Sequence, residues 1–454
     1  MRPRLRALAR ENALCALLAG AGTAAMVWLG LFGFAWNDYE TEARPAFDAL
    51  TRGHVLEFLR LAPAYGGSLV ERAPFALLPG LWGGGELAVY RIVALPCLLA
   101  AAALGVWLVA RLRRPGAGRV RPGAGGPRPD AGNVRPGAGG LNVPASRLAR
   151  GLALGLCVAN PLTLRALELG HPEELLGGAL CVAAVLLAAR ERPLWAGLAL
   201  GLAIANKEWA LLALGPVLLA LPSRRALCVT CAAAVAALVL APLALVGASG
   251  FVTSTRGAAA PPSSIFQPWQ AFWFLGHHGP VVHGLFGVVK PGYRTAPGWV
   301  GAISHPLIVA ISLPLTALAW ARGRRGQSDA LLLLALLLLL RCVLDTWDTA
   351  YYMIPFVLTL LTWESLSERP RAAVLALSCT ALGWVSFVWL PKHVSPDAQA
   401  ACFLAWTVPL ALGLALRLYA PALTGKLSSG ARTARLPPPQ EITVSSLESR
   451  VSTS

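Results

Sequence analysis

Apolar runs, many of them of membrane length, recur along nearly the whole chain, and they limit the fold more than any other feature. They lie at 13–36, 86–110, 148–165, 174–189, 194–206, 208–221, 226–248, 303–321, 329–346, 351–367, 372–390 and 399–418. About 20 apolar residues cross the hydrocarbon core of a bilayer, where backbone polar groups must be satisfied within the segment itself. The chain is therefore read as all-α: a polytopic transmembrane helix bundle. Only 13% of its residues are charged, against roughly 25% in soluble domains, which excludes a soluble globular fold.

Arginine sets the expected orientation. Arg2, Arg4, Arg6 and Arg10 precede the first run, and further arginines crowd 111–147, 190–193, 224–225, 322–325, 369–371 and the tail. Basic residues concentrate on the cytoplasmic side, so both termini are placed inside a multi-pass plasma-membrane protein. All these stretches can be cytoplasmic only if 194–221 enters and leaves on one side. Its polar centre, Asn206-Lys207-Glu208, fits a broken or re-entrant hairpin lining a cavity. One long tilted helix is the alternative, and it would put Arg224 and Arg225 outside. The hairpin leaves about ten full spans. No small-residue cleavage site follows the first run, so that run reads as an uncleaved anchor.

The net charge of +17 does not imply a nucleic-acid partner, because the arginines alternate with membrane segments. The nine cysteines fall in or beside apolar runs and read as small buried hydrophobes, with no disulfide framework. The chain divides into N-terminal spans with a first outer loop (1–110, loop 37–85), a basic cytoplasmic loop (111–147), a transmembrane bundle with a large outer loop (148–420, loop 249–302) and a tail (421–454). The loop 111–147 repeats Arg-Pro-Gly-Ala-Gly at 114–118, 121–125 and 135–139, a composition that cannot bury a core, so disorder against anionic headgroups is expected. The proline-bearing tail reads as disordered as well.

The outer side holds the candidate chemistry. Asp38 and Glu40 stand in Asn37-Asp38-Tyr39-Glu40, directly after the first run: either solvated loop charges or a base acting on something delivered from the membrane. Phe47, Leu50, Val55, Leu56, Phe58, Leu59 and Leu61 predict an amphipathic helix lying on the membrane, and 73–82 a second one. Arg341 interrupts a leucine run, and a cation at such depth faces the bundle or a cavity. Its donors suit a phosphate, or a structural pair with Asp345 one turn on. Lys207 poses the same choice, with Glu208 beside it. His171, Glu173 and Glu174 sit in Gly170-His171-Pro172-Glu173-Glu174, as helix-start chemistry or as substrate contacts. Trp269 stands among aromatics and amides before His277 and His278; the tryptophan fits a pocket or an interfacial belt, and the histidines could donate to a phosphate. Tyr351 and Tyr352 follow Arg341. No metal-ligand spacing is present, so no cofactor is expected, and a divalent metal is possible without being indicated.

The order of these elements resembles the GT-C superfamily of integral-membrane glycosyltransferases. The features are an acidic loop after span one, Asn160-Pro161 before Gly170 to Glu174, Ala196 to Lys207, then Arg341, Asp345 to Tyr352 and Pro355. The closest branch looks like the actinobacterial polyprenyl-phosphate-mannose-dependent α-mannosyltransferases. That resemblance implies a polyprenyl-phosphate sugar donor, mannose by default, and a glycolipid, glycan or protein acceptor. It implies an inverting displacement with Asp38 as base and Arg341, Lys207, His277 or His278 at the leaving phosphate. Some relatives carry adjacent acids at the loop head; here Tyr39 separates Asp38 from Glu40, so both stay candidates. A transporter or flippase is the alternative, since buried charges and broken helices occur there too. Such folds often show internal repeats, and only the loop pentapeptide repeats here.

Overall fold

The computed structural model describes residues 2–32, 37–62, 66–113, 147–259, 265–278, 282–283, 288–289, 291–367 and 373–421. In chain order the helices are α1 (Arg2–Gly30), α2 (Arg44–Thr51), α3 (Val55–Leu61), α4 (Ser68–Ala76), α5 (Glu86–Leu112), α6 (Arg147–Val158), α7 (Pro161–Leu169), α8 (Glu173–Ala188), α9 (Pro193–Asn206), α10 (Leu214–Ala220), α11 (Arg225–Val246), α12 (Ala248–Ala259), α13 (Gly298–Ala321), α14 (Gln327–Leu344), α15 (Met353–Leu366), α16 (Val374–Trp384) and α17 (Pro396–Tyr419). Among the described residues, eight helical stretches are long and apolar enough to cross a membrane. The protein is a multi-pass, all-α bundle.

Sequence pattern decides which helices are central. α14 is leucine on every side from 331 to 340 apart from Ala335, and α15 is apolar almost throughout; both are buried all round, as helices without a polar face must be. α8 joins them at the centre. α11, α13 and α17 keep most of their apolar surface exposed, as lipid-facing helices do. α8 has 16 residues and α15 has 14. At about 1.5 Å per residue they fall short of a hydrocarbon core of about 30 Å.

The segment 194–221 folds back on itself. α9 ends at Asn206, Lys207 is extended (φ −153°, ψ 135°), and a 3₁₀ stretch (Glu208–Ala213) leads into α10. Arg192 and Arg224, which flank the segment, line one common cavity, so its two ends meet on the same side. α9 then packs along α11 through glycine. A Cβ on Gly197 would stand 2.6 Å from the Cys228 carbonyl oxygen, and one on Gly201 would stand 2.6 Å from that of Ala232. Small residues at this spacing let helix backbones approach closely in a membrane.

Three expectations change in detail. The run 148–165 breaks at Ala159-Asn160 into α6 and α7, and the helix then continues to Leu169. α1 ends at Gly30 instead of continuing to 36. The loop 249–302 contains α12 and two small antiparallel sheets, β1 (His277–His278) with β4 (Arg294–Thr295) and β2 (Val282–His283) with β3 (Val288–Val289). The repeats at 114–146 and the tail at 422–454, both expected to be disordered, lie outside the described residues. The first loop forms α2 to α4. Phe47, Leu50 and Phe58 face the core, while Val55, Leu56, Leu61, Leu81 and Trp82 are exposed, as on helices lying at an interface.

Candidate active site

The site is built where α7 gives way to α8. Asn160 caps α7, its Oδ1 accepting from the Leu162 N–H at 2.9 Å with Pro161 in the first turn. Gly170 ends the helix with φ +96°, and the Gly170 and His171 amides return to the carbonyls of Leu167 and Ala166. Glycine is needed here twice. A Cβ would stand 2.5 Å from the Tyr39 nitrogen and 3.2 Å from the Asp38 carbonyl carbon. The missing side chain therefore lets the head of the first loop lie against the α7–α8 corner.

That loop head is held on three sides. Asn37 Oδ1 accepts from the Tyr39 amide at 3.0 Å, and Asn37 Nδ2 donates to the Glu168 carbonyl at 3.0 Å. Tyr39 stacks on Tyr90 at 3.8 Å, and the Tyr90 hydroxyl donates to the Leu167 carbonyl. Residues Tyr39–Ala43 form a π-helical turn, a geometry frequent at functional sites. Asp38 is thereby fixed beside His171 with its side chain 44% exposed.

His171 is buried and bridges two carboxylates, Nδ1 to Glu173 Oε1 at 2.8 Å and Nε2 to Asp38 Oδ2 at 3.2 Å. Burial opposes its charge, but the charge of Glu173 and the hydrogen bonds that the ring donates to Asp38 and Glu173 prevail and raise its pKa to about 9. At neutral pH both ring nitrogens therefore donate. Glu173 is fully buried and also meets Lys207 Nζ at 3.3 Å and Arg72 Nη2 at 3.7 Å. The Asn206 amide donates to the Glu173 carbonyl at 3.0 Å, tying the reversal of the 194–221 segment to the start of α8.

Behind this cluster, Glu174 takes both arms of Arg341 at 3.2 Å and the Trp209 indole N–H at 3.1 Å. Arg341 lies between the rings of Trp209 (4.7 Å) and Tyr352 (4.0 Å). Its partner is thus Glu174 and not Asp345, which stands 3.0 Å from His305. Lys207 likewise reaches across to Glu173, at 3.3 Å. Tyr351 packs on the His171 ring at 4.1 Å.

Eight sequence candidates therefore converge: Asp38, His171, Glu173, Glu174, Lys207, Arg341, Tyr351 and Tyr352. Glu40 points elsewhere, to Arg44 at 2.5 Å, which also meets Glu86 at 2.6 Å. Trp269 is buried against Phe387 and donates to the Ser386 carbonyl at 3.0 Å. His277 and His278 lie exposed on β1, with His278 3.8 Å from Asp397. Among the described residues no three His, Cys, Asp or Glu side chains converge to hold a metal ion.

Two members escaped the sequence reading. Arg72, in α4, is buried with its guanidinium on Ser68 and Glu173. In sequence it is one charge in a short amphipathic stretch and carries no distinguishing mark. Glu42 follows Asp38 by one turn. Burial raises its pKa, and the fields of His171, Asp38 and Lys207 all reach it.

Residues 68–344 match the family model of glycosyltransferase family 87, a span that includes His171, Glu173, Lys207 and Arg341 and begins after Asp38. No curated protein and no solved structure matches the chain. The family match covers more than half of the sequence, and the protein belongs to glycosyltransferase family 87.

Proposed function

We propose that the protein transfers a sugar from a polyprenyl-phosphate donor to an acceptor hydroxyl at the outer face of the membrane, with inversion and with Asp38 as general base. The observation that carries this reading is the half-exposed Asp38 carboxylate held by a buried imidazolium. His171 occupies one oxygen of Asp38, and the other is available to an acceptor. The acceptor O–H gives its proton to Asp38 as its oxygen bonds to the sugar C1. The C1–O bond to phosphate breaks, and polyprenyl phosphate leaves with the electron pair. A base placed in this way contributes about 10²–10⁴-fold.

The leaving group needs positive charge where its own charge grows. His171, Lys207 and Arg72 gather around Glu173, and His171 carries Asp38 on its other nitrogen, so three basic side chains meet at this point. Lys207 is the cation of this group that reaches the surface, 17% exposed, and is assigned to the phosphate. Arg341 is assigned to bracing: Glu174 already occupies both its arms. Mannose is the sugar implied by the GT-C resemblance.

Sugar transfer by purified protein tests the reading, using polyprenyl-phosphate mannose and a membrane glycolipid pool as acceptor. Release of polyprenyl phosphate by the wild type and its loss in Asp38→Asn support it. Undiminished transfer by Asp38→Asn removes Asp38 as base. Absence of transfer with mannose, glucose and arabinose donors alike removes the donor class.

A further inference from the structure

The end of the bundle opposite Asp38 holds a basic cavity that the transfer reaction does not use. Two joints meet there, one between α8 and α9 and one between α10 and α11. Arg192, Pro193, Leu194, Trp195, Arg224 and Leu227 line a cavity of about 240 Å³ between them. A space of this size holds many waters and so has room for a phosphate-sized polar group.

Three independent features mark this place. The first is uncompensated charge. Arg192 and Arg224, both on the cavity wall, form no ion pair among the described residues, whereas Arg113 and Arg324 elsewhere in the chain do. Arg190 and Arg111 share the face of Trp107, at 5.1 and 5.9 Å. Burial, and after it the fields of Arg111 and Arg192, push Arg190 below its usual range. Arg225 does not contribute, because it turns away to the Leu218 carbonyl and the Trp320 ring.

The second feature is backbone strain. Among the described residues the non-glycine positions with positive φ are Glu191 (56°) and Arg224 (55°), one in each joint. Strained backbone of this kind persists where the surroundings hold it, often at ligand sites. The third is the rim. Leu194, Trp195 and Leu227 are large, apolar and exposed at the mouth of the cavity. Cation, aromatic and aliphatic groups thus lie together where a lipid presents phosphate, glycerol and acyl chain.

We propose that this cavity binds an anionic diacyl phospholipid, with its headgroup phosphate between Arg192 and Arg224 and an acyl chain along Leu194, Trp195 and Leu227. The unpaired arginines select net negative lipid over zwitterionic lipid, since each basic residue near an anionic membrane surface adds attraction. The site lies at the head of the α9–α11 contact through Gly197, so an occupied cavity clamps the pair whose other end presents Lys207. The proposal does not depend on which sugar or donor the enzyme uses.

Full-length protein in neutral detergent is titrated with phosphatidylglycerol or phosphatidylcholine, and retained lipid is read by native mass spectrometry. The expected result is preferential retention of phosphatidylglycerol. Arg192→Gln and Arg224→Gly each weaken it by about fivefold, and roughly 30-fold together. Glycine adopts the Arg224 backbone without strain, so that variant folds; Arg192→Lys and Arg224→Lys retain binding. Equal retention of the two lipids, or an unchanged affinity in the double variant, overturns the proposal. Complete displacement by millimolar inorganic phosphate also overturns it, because the site then reads phosphate and not lipid.

Discussion

His171 reaches Asp38 across 133 positions of sequence, Nε2 to Oδ2 at 3.2 Å, while its other nitrogen stays on Glu173 two residues away. The imidazolium thus joins an exposed carboxylate to a buried one. Glu173 cannot leave, since Lys207 and Arg72 also hold it. The geometry makes Asp38 the terminal member of a braced chain and gives it a fixed direction toward solvent.

Asp38→Asn should lower transfer by about 10²–10⁴-fold, the size of a general-base contribution, with the melting temperature little changed because the side chain is half exposed. Glu40→Gln should keep transfer near wild type and cost at most about 1 kcal/mol, as expected for a pair with a partly exposed arginine. Parallel turnover and melting measurements on both variants separate the two acids. A larger rate loss in Glu40→Gln would move the base one turn face away.

The raised pKa of His171 gives the site an alkaline limit. Its folded value of about 9 lies above the ordinary 6.5, so the native state binds the extra proton between them. The stabilisation is complete below about 6.5 and is lost as pH rises through about 9. Transfer and melting temperature should both fall over that window, and His171→Gln should flatten the stability profile. An unchanged profile in the variant would place the titration elsewhere.

Glu42 has the opposite logic. Burial raises the pKa of this carboxyl, so the native state keeps its proton to higher pH than the unfolded chain and loses stability as pH climbs past the ordinary 4.5. Glu42→Gln should mimic the protonated form. Melting temperatures at pH 5 and pH 8 should show the variant gaining on the wild type at the higher pH.

Removing one member of the buried Glu174–Arg341 pair leaves the other charged and uncompensated, which typically costs 3–5 kcal/mol. Arg341→Met and Glu174→Met should each destabilise by about that amount. The double variant should recover much of the loss, as a double-mutant cycle in denaturant would show. Strict additivity would mean that the pair is not coupled.

Gly170→Ala should disturb the site from a distance. The substitution strains a left-handed residue and drives a Cβ into the Asp38–Tyr39 backbone, which must shift to make room. Transfer should fall about 10²-fold, since displacement of about 1 Å at a reacting group can cost that much. Far-ultraviolet circular dichroism should stay helical. Full activity in this variant would show that the loop head is not held against the α7–α8 corner.

The sequence alone determined the membrane class and the helical fold, because an apolar run of this length has one way to satisfy its backbone in a bilayer. It also exposed Asp38, His171, Glu173, Glu174, Lys207 and Arg341, since a polar residue beside or within such a run is costly and stands out. It did not decide their partners. Arg341 had an acid one turn away in Asp345, and Lys207 had one adjacent in Glu208, yet each pairs with α8, because helix packing and not sequence distance brings Glu173 and Glu174 to them. Asp38 and Glu40 were equivalent until the π-helical turn aimed one at His171 and the other at Arg44. Arg72 and Glu42 looked like ordinary loop charges, and only burial against α8 distinguishes them. Partner choice is a property of three-dimensional packing: side chains of similar charge are interchangeable on paper and become specific only when a backbone fixes which of them share a low-dielectric space.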